Sequence, residues 1–265
     1  MNARLLDTLA IPAGCGLRFV DAYAGQSIVD GLRCTLRRRR DRRLLGIGTP
    51  TPSGIHHWPE LASPWRDPAS SPPAAALAEV LIEDSQQRFL PLLLAWPPVP
   101  DTPYTTLRTI TLCSAPARRA PAGAATVHAL LADGTGRPAA WARVLASDAQ
   151  GHSTLGMSDA GGRLTLHLPF PRPERKAPSS PPEPVLAVGT TITLRLFHDP
   201  AVGSEALAAG APWLPDWNTQ PEVRALARTD AADAFGPLRL EPGRPGVPLT
   251  EGLPPNRSEL RLVPF

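Results

Sequence analysis

The most regular alternation of apolar and polar residues in the sequence is Arg163-Leu164-Thr165-Leu166-His167-Leu168. Its leucines alternate with polar residues, so the leucines point to one face of a strand and the polar residues to the other. We therefore expect a half-buried strand here. The same alternation recurs at residues 126–131, 191–196 and 259–263. Short turns at residues 133–134, 148–151 and 159–162 separate such segments, a pattern typical of one sandwich or barrel.

The first half of the chain repeats this pattern less regularly. Its alternating segments are residues 17–21, 32–36, 79–83 and 108–112. Residues 114–123 then form a stretch rich in proline and alanine, which predicts a short, fairly stiff linker. We therefore predict an all-β chain of two β-sandwich domains in tandem, residues 1–115 and residues 125–265, with proline-rich loops.

Composition favours strands and turns over long helices. The 265 residues include 34 prolines and 21 glycines, and proline disfavours long helices because it lacks a backbone donor and clashes with the preceding turn. Three further segments resemble loops: residues 62–76, 170–184 and 199–236. Within the last of these, residues 222–234 fit a short helix.

Charge and cysteine content identify no partner. The net charge is only +3, and Cys15, Cys34 and Cys113 are widely spaced among apolar neighbours. We interpret them as small core residues, the alternative being one disulfide pair. The first sixteen residues lack the pattern of a signal peptide, and the apolar run at residues 89–96 is too short to cross a bilayer. We expect a protein made in the cytoplasm that contacts no membrane.

No catalytic signature occurs in the sequence, and no enzyme activity or cofactor is predicted. His56 and His57 are adjacent, so one is expected to face inward and the other outward, and no spacing supplies further metal ligands. Asp133, Asp148 and Asp159 allow a calcium interpretation. Their spacing does not match a calcium-binding loop, and Asp and Gly at such positions are typical of β-turns, so a turn role is preferred.

Two segments are candidates for protein contacts. The run of arginines at residues 37–43 lacks interleaved aromatics, which disfavours nucleic acid; an acidic protein partner and a plain solvated hairpin end remain open. The tryptophans at residues 213 and 217 are either contact anchors or packed over a sandwich end. The interface candidates are Arg37, Arg38, Arg39, Arg40, Arg42, Arg43, Trp213 and Trp217.

Residues 136–144 read Gly-Arg-Pro-Ala-Ala-Trp-Ala-Arg-Val, and residues 156–166 read Gly-Met-Ser-Asp-Ala-Gly-Gly-Arg-Leu-Thr-Leu. Together they resemble the carboxypeptidase regulatory-like family, with Ser158 in place of the usual Thr and Leu164 in place of the usual aromatic. The resemblance implies an Ig/transthyretin-like β-sandwich without catalytic residues of its own. It carries little information about function.

A second resemblance spans more of the chain. Residues 84–91, 112–118, 138–142 and 170–173 are similar, in this order, to proteins encoded with phage-tail-like contractile particles. It implies a structural or adaptor subunit of a contractile injection particle, in a baseplate, collar or tail-associated position. Its partners would be the other subunits of a symmetric assembly, built in the bacterial cytoplasm and released with the particle. The rival hypotheses are a ligand- or carbohydrate-binding module or adhesin, and an accessory domain of an enzyme.

Overall fold

The structure, a computed structural model, describes residues 16–58, 78–96, 107–169, 189–229, 233–241, 244–254 and 259–264. Regular structure in these residues is almost entirely β-strand, which confirms the predicted all-β fold. Cys15 and the predicted loops at residues 62–76 and 170–184 lie outside the described residues.

The first half of the chain forms a sandwich of two four-stranded sheets. Its strands are β1 (Gly16–Asp21), β2 (Leu32–Arg38), β3 (Leu44–Ile47), β4 (Thr49–Pro50), β5 (Ile55–His57), β6 (Ala78–Asp84), β7 (Leu92–Trp96) and β8 (Leu107–Leu112). One sheet has the order β4-β5-β1-β8, with β1 and β8 parallel, and the other has the order β3-β2-β6-β7. Phe19, Leu36, Val80 and Leu112 meet in the core between them.

The chain passes from one sheet to the other at Gly48, between β3 and β4. Its backbone N–H donates to the Cys34 carbonyl at 2.8 Å. A Cβ at this position would lie 2.9 Å from Trp58 Cζ2 and 3.2 Å from Cys34 Cβ. Only glycine therefore fits where the strand crosses the edge of the core.

The second half forms one sheet of eight strands. Its elements are β9 (Ala124–Asp133), β10 (Arg143–Asp148), β11 (Ser153–Met157), β12 (Arg163–Pro169), β13 (Thr190–Phe197), α1 (Pro200–Ala209), α2 (Leu214–Asn218), β14 (Glu222–Ala225), β15 (Leu238–Leu240) and β16 (Leu260–Pro264). The order is β11-β10-β13-β14-β16-β9-β12, and β15 pairs with β13. The sheet curls over a second core, so that Gly156 of β11 packs directly against Leu166 of β12.

Asp133, Asp148 and Asp159 each close a turn in the same way. In every case Oδ1 accepts the N–H groups of the residues two and four positions on, at 2.8–3.0 Å. The glycine three positions on has φ between +77° and +86°. These carboxylates therefore hold the backbone of turns, and the turn interpretation of the three residues is confirmed.

The segment at residues 199–236 differs from the prediction. Residues 222–225 form strand β14, so the proposed helix at residues 222–234 is wrong, and helices α1 and α2 precede it. Asp199 caps α1 by accepting the Ala201 N–H at 2.8 Å, Pro200 opens it, and Gly210 ends it with φ of 82°. This order of capping residues predicts a helix. The prolines of the segment favoured a loop instead.

The two halves share a core. Trp141, Met157 and Trp217 of the second half belong to the same buried cluster as the first sandwich. Thr165 and His167, predicted to face outward from a half-buried strand, are each only 1% exposed. That expectation fails at these residues because the first half packs over the second face of β12. The domain boundary itself remains a prediction.

The predicted linker takes part in this packing. Ala115 is buried in the shared core, and its N–H donates to the Arg88 carbonyl at 2.9 Å. Residues 114–118 are thus held against the first sandwich along their length, with Arg118 paired to Asp21. The segment is fixed by tertiary contacts as well as by its proline content.

Candidate interaction surface

The arginine run forms the turn of the β2–β3 hairpin. The Arg38 N–H donates to the Arg43 carbonyl at 2.9 Å, and the Arg43 N–H donates to Asp41 Oδ1 at 3.2 Å. Arg42 has φ of 55°, a left-handed conformation that closes the turn. Because the turn projects from the sheet, most of its arginine side chains are exposed.

Arg37 and Arg38 are engaged within the hairpin and its sheet. Arg37 Nε lies 2.6 Å from Glu79 Oε1, and the two side chains are 13% and 7% exposed. They are directly opposite each other on β2 and β6, so the pair bridges neighbouring strands. Arg38 pairs with Asp41 at 3.3 Å in an exposed position. Arg37 therefore has a structural role within its own sheet.

Arg39 and Arg42 contact the helical segment of the second half. The Arg39 guanidinium lies 4.4 Å from the centre of the Trp213 ring, in cation–π geometry. Arg42 Nη2 donates to the Ala208 carbonyl at 3.1 Å. Ala208 lies in the last turn of α1, where unsatisfied carbonyls carry partial negative charge that favours a cation. The structure thus brings the two predicted contact segments together, although they are distant in sequence.

Trp213 and Trp217 differ in exposure. Trp213 is half-buried and forms a parallel bridge with Leu93, whose N–H donates to the Pro212 carbonyl at 2.9 Å. This contact covers the free edge of β7. Trp217 is 2% exposed and packs in the shared core beside Leu92 and Met157. Its surface is used inside the chain, so it is not available to a partner.

Between the hairpin and the helices lies a cleft of about 180 Å³. Its lining combines the guanidinium groups of Arg39 and Arg42 with the carboxylates of Glu79, Glu205 and Asp216. Arg39 and Arg42 of the first half therefore share this cleft with Glu205 and Asp216 of the second half. The hairpin is joined to this helical segment by the Arg39–Trp213 and Arg42–Ala208 contacts.

The remaining exposed part of this region is both apolar and cationic. Leu44, Leu45 and Ile47 of β3 are 55%, 39% and 46% exposed. Within the described residues, the structure records no hydrogen bond or ion pair for the side chains of Arg40 and Arg43. We call these five residues the open patch. A cluster of exposed apolar side chains next to free cations is typical of a protein contact surface.

A polar cluster holds the two halves together on the opposite side of the first sandwich. Arg118 Nη2 lies 2.5 Å from Asp21 Oδ2, and the side chains are 12% and 9% exposed. Burial works to raise the pKa of Asp21, but hydrogen bonds from Arg118 and from the Tyr23 N–H outweigh it and lower the pKa. The carboxylate is therefore charged, as a buried ion pair with Arg118 requires.

His167 belongs to the same junction. The edge of the Tyr23 ring packs on it with a centroid distance of 6.1 Å, and Nδ1 is 3.3 Å from Thr126 Oγ1. Its Nε2 is buried without a hydrogen-bond partner among the described residues. Burial, together with Arg118 and His128, lowers the pKa of His167 to about 4, so the ring is neutral near pH 7.

A groove of about 580 Å³ runs beside this junction. Leu130 and Thr165 line it from β9 and β12, Pro116 lines it from the predicted linker, and Val247 borders it. The Asp159 carboxylate in its lining is already occupied by backbone and arginine donors. The groove is mostly apolar, and its lining includes the His128 ring but no phenylalanine, tyrosine or tryptophan among the described residues.

The remaining candidate residues have structural roles. His56 is buried and packs edge-on against Phe19 at 5.4 Å, and His57 is partly exposed, which confirms the predicted alternation. Cys34 and Cys113 are buried and free, as expected of core residues, and burial raises the pKa of Cys113 to about 12. In the described part of the chain, no group of three or more acidic, histidine or cysteine side chains is arranged to hold a metal ion.

None of the helices in the described ranges combines the length and the apolar character that a membrane span needs. The chain is all-β, residues of both halves form one buried cluster, and the open patch lies on its surface.

No protein-family model matches this chain, and no curated protein matches it.

Solved structures give weak likenesses. The shaft pilin SpaA from Lactobacillus rhamnosus GG aligns at 10% identity over 96% of this chain and 99% of that chain, with a TM-score of 0.25. A C-terminal fragment of the pilus adhesin SpaC from the same organism aligns at 10% identity over 94% and 95%, with a TM-score of 0.21. The Bacillus anthracis TIE protein aligns at 10% identity over 69% and 28%, with a TM-score of 0.19. Scores this low do not establish a shared fold.

Proposed function

We propose that this chain is a non-enzymatic structural or adaptor subunit that holds neighbouring proteins in fixed positions. The observation that carries the proposal is the shared core of its two halves, in which Trp217 of the second half is buried against the first sandwich. A subunit that sets the spacing of its neighbours needs such a fixed joint, because a flexible one would not transmit position.

The junction supports this role on both sides. The Asp21–Arg118 ion pair fixes the linker to β1, and the contacts of Arg39 and Arg42 fix the hairpin to α1 and α2. Removing one partner of a buried ion pair leaves an uncompensated charge, so such pairs resist separation. The open patch is then presented in a constant orientation.

The particular assembly that we propose is a phage-tail-like contractile injection particle. Support for this step comes from the order of short segments that resemble proteins encoded with such particles. The chain would be a baseplate, collar or tail-associated subunit, assembled in the bacterial cytoplasm and released with the particle. Its partners would be other particle subunits in a symmetric arrangement.

The test is native purification of the tagged full chain from its own host, with mass spectrometry and electron microscopy of the fraction that sediments with it. Co-sedimentation with sheath and tube proteins in tail-shaped particles is the expected result. A protein that sediments alone as a monomer contradicts the assignment to a particle.

A second candidate function, ligand binding, is favoured by the groove. Its volume of about 580 Å³ lies in the range of small-molecule sites. Carbohydrate is the less suitable ligand, because no phenylalanine, tyrosine or tryptophan of the described residues lines the groove and the described tryptophans are buried or half-buried. Screening a glycan array and a small-molecule library against wild type and Leu130→Arg tests this candidate; a ligand whose binding the variant abolishes would support it.

A further inference from the structure

The open patch lies on a sheet face that the chain itself covers only in part. In the β3-β2-β6-β7 sheet, Ile47 is opposite Thr35 and Leu44 is opposite Arg37, so both side chains lie on the outward face. On the same face, Glu79 and Leu93 are buried beneath α1 and α2 and line the cleft with Val202 and Trp213. The half of the face nearest β3 has no such cover among the described residues.

The edge of β3 is a poor site for addition of a strand. Leu36 pairs with Gly46 and Arg37 with Leu44, so Leu45 is an extra residue that forms a β-bulge. The strand has only four residues, and Pro50 follows shortly after it. Bulges, short strands and prolines disfavour pairing at a sheet edge. A partner at this site would therefore pack on the outward face through its side chains.

The covered half shows what such a partner resembles. There, a helix lies on the face, Arg42 bonds the carbonyl of its last turn, and the Glu205 carboxylate of α1 lines the cleft together with Arg39. The uncovered half has the same kinds of residue: apolar side chains on the face and arginines at the hairpin tip. Arg40 and Arg43 carry positive charge without an acidic partner in the described part of the chain.

We propose that the open patch binds an acidic amphipathic helix of a neighbouring protein, with the apolar side of that helix on Leu44 and Ile47 and its carboxylates on Arg40 and Arg43. This inference rests on the proposed structural function and names the chemistry of one partner. Helix-on-face recognition of this kind combines apolar anchors with charge complementarity.

Anisotropy measurements with a labelled synthetic helix test the inference. The probe is a peptide of about 18 residues, long enough to form a helix, with leucine on one face and glutamate elsewhere; its control has every glutamate replaced by glutamine. We expect the full-length protein to bind the glutamate peptide at least about tenfold more tightly than the glutamine peptide, with affinity falling as salt is raised.

Two double variants locate the site. R40E/R43E and L44S/I47S are each expected to weaken binding of the glutamate peptide by at least about tenfold, because one removes the charges and the other the apolar anchors. Arg119→Glu, an exposed arginine in the predicted linker, is the matched control and should change binding by less than about twofold. All these side chains are exposed, so circular dichroism melting curves should match that of wild type.

Three results would overturn the inference: equal binding of the two peptides, undiminished binding by R40E/R43E, or no binding of the glutamate peptide. Tighter binding of a single-stranded oligonucleotide that competes with the peptide would assign the patch to nucleic acid instead.

Particle purification separates this inference from the proposed function. If R40E/R43E still co-sediments at the wild-type level, the helix-binding inference fails and the structural function stands; if wild type sediments alone, the structural function fails.

Discussion

Gly162 and Gly151 occupy the same position of the same type of turn, but their surroundings differ. Both have positive φ, +77° and +85°. A Cβ on Gly162 would overlap the Leu131 carbonyl oxygen, whereas a Cβ on Gly151 would meet nothing within 4 Å. Alanine substitutions at the two positions therefore distinguish the strain of a left-handed conformation, present at both, from a steric clash, present only at Gly162.

We expect Gly151→Ala to lower the free energy of unfolding by about 1 kcal/mol, the cost of a left-handed alanine. Gly162→Ala should cost at least about 2 kcal/mol more, since a backbone carbonyl has to move. Urea denaturation of the two variants measures both values. Equal losses would mean that the Leu131 carbonyl adjusts without cost.

His167 makes stability depend on pH. Its pKa in the folded protein, about 4, is below the ordinary histidine value of 6.5, so the unfolded chain binds a proton more readily than the folded one. Its contribution to stability is therefore fully present above about pH 6.5 and is lost as the pH falls towards 4.

The expected slope attributable to His167 approaches about 1.4 kcal/mol per pH unit in this window. Burial also lowers the pKa of His56 and His198, which contribute in the same direction. The measurement is therefore the difference between wild type and His167→Gln in urea titrations from pH 7 to pH 4. Parallel pH profiles for the two proteins would contradict the prediction.

At the scale of elements, α1 depends on its caps and supports the arginine hairpin. Asp199 satisfies a backbone donor of the first turn, and the Gly210 N–H donates to the Ala206 carbonyl at 2.8 Å. The helix then presents the Ala208 carbonyl to Arg42. Loss of a cap should therefore weaken a contact made at the other end of the helix.

Asp199→Ala is expected to destabilise the protein by about 1 kcal/mol, while Asp199→Asn, which keeps an acceptor, should cost only a few tenths. Hydrogen exchange of the α1 amides should accelerate in the alanine variant. An unchanged exchange rate in α1 would show that packing on the first sandwich holds the helix without its cap.

At the scale of the whole molecule, the shared core predicts one cooperative unfolding unit. Trp217 and Met157 pack among residues of the first sandwich, so neither half can unfold without exposing apolar surface of the other. We expect a single calorimetric transition in which the calorimetric and van't Hoff enthalpies agree. Two resolved transitions would show instead that the junction separates before either half unfolds.

Local sequence patterns predicted the strands and turns of this protein. Alternating leucines at residues 163–168 predicted strand β12, and the positions of Asp and Gly predicted its turns. Both signals are local, because the period of a strand and the geometry of a turn are fixed by neighbouring residues. The all-β fold followed from them.

What lies on the second face of each element depends on long-range packing. Periodicity shows which side of a strand is apolar, but not what packs on the polar side, so the burial of Thr165 and His167 was not predictable. Arg42 and Ala208 meet across 166 residues of sequence. The packing of the two halves therefore decides which polar side chains become internal contacts and which residues form the open patch. Long-range packing leaves no periodic signal in either segment of sequence.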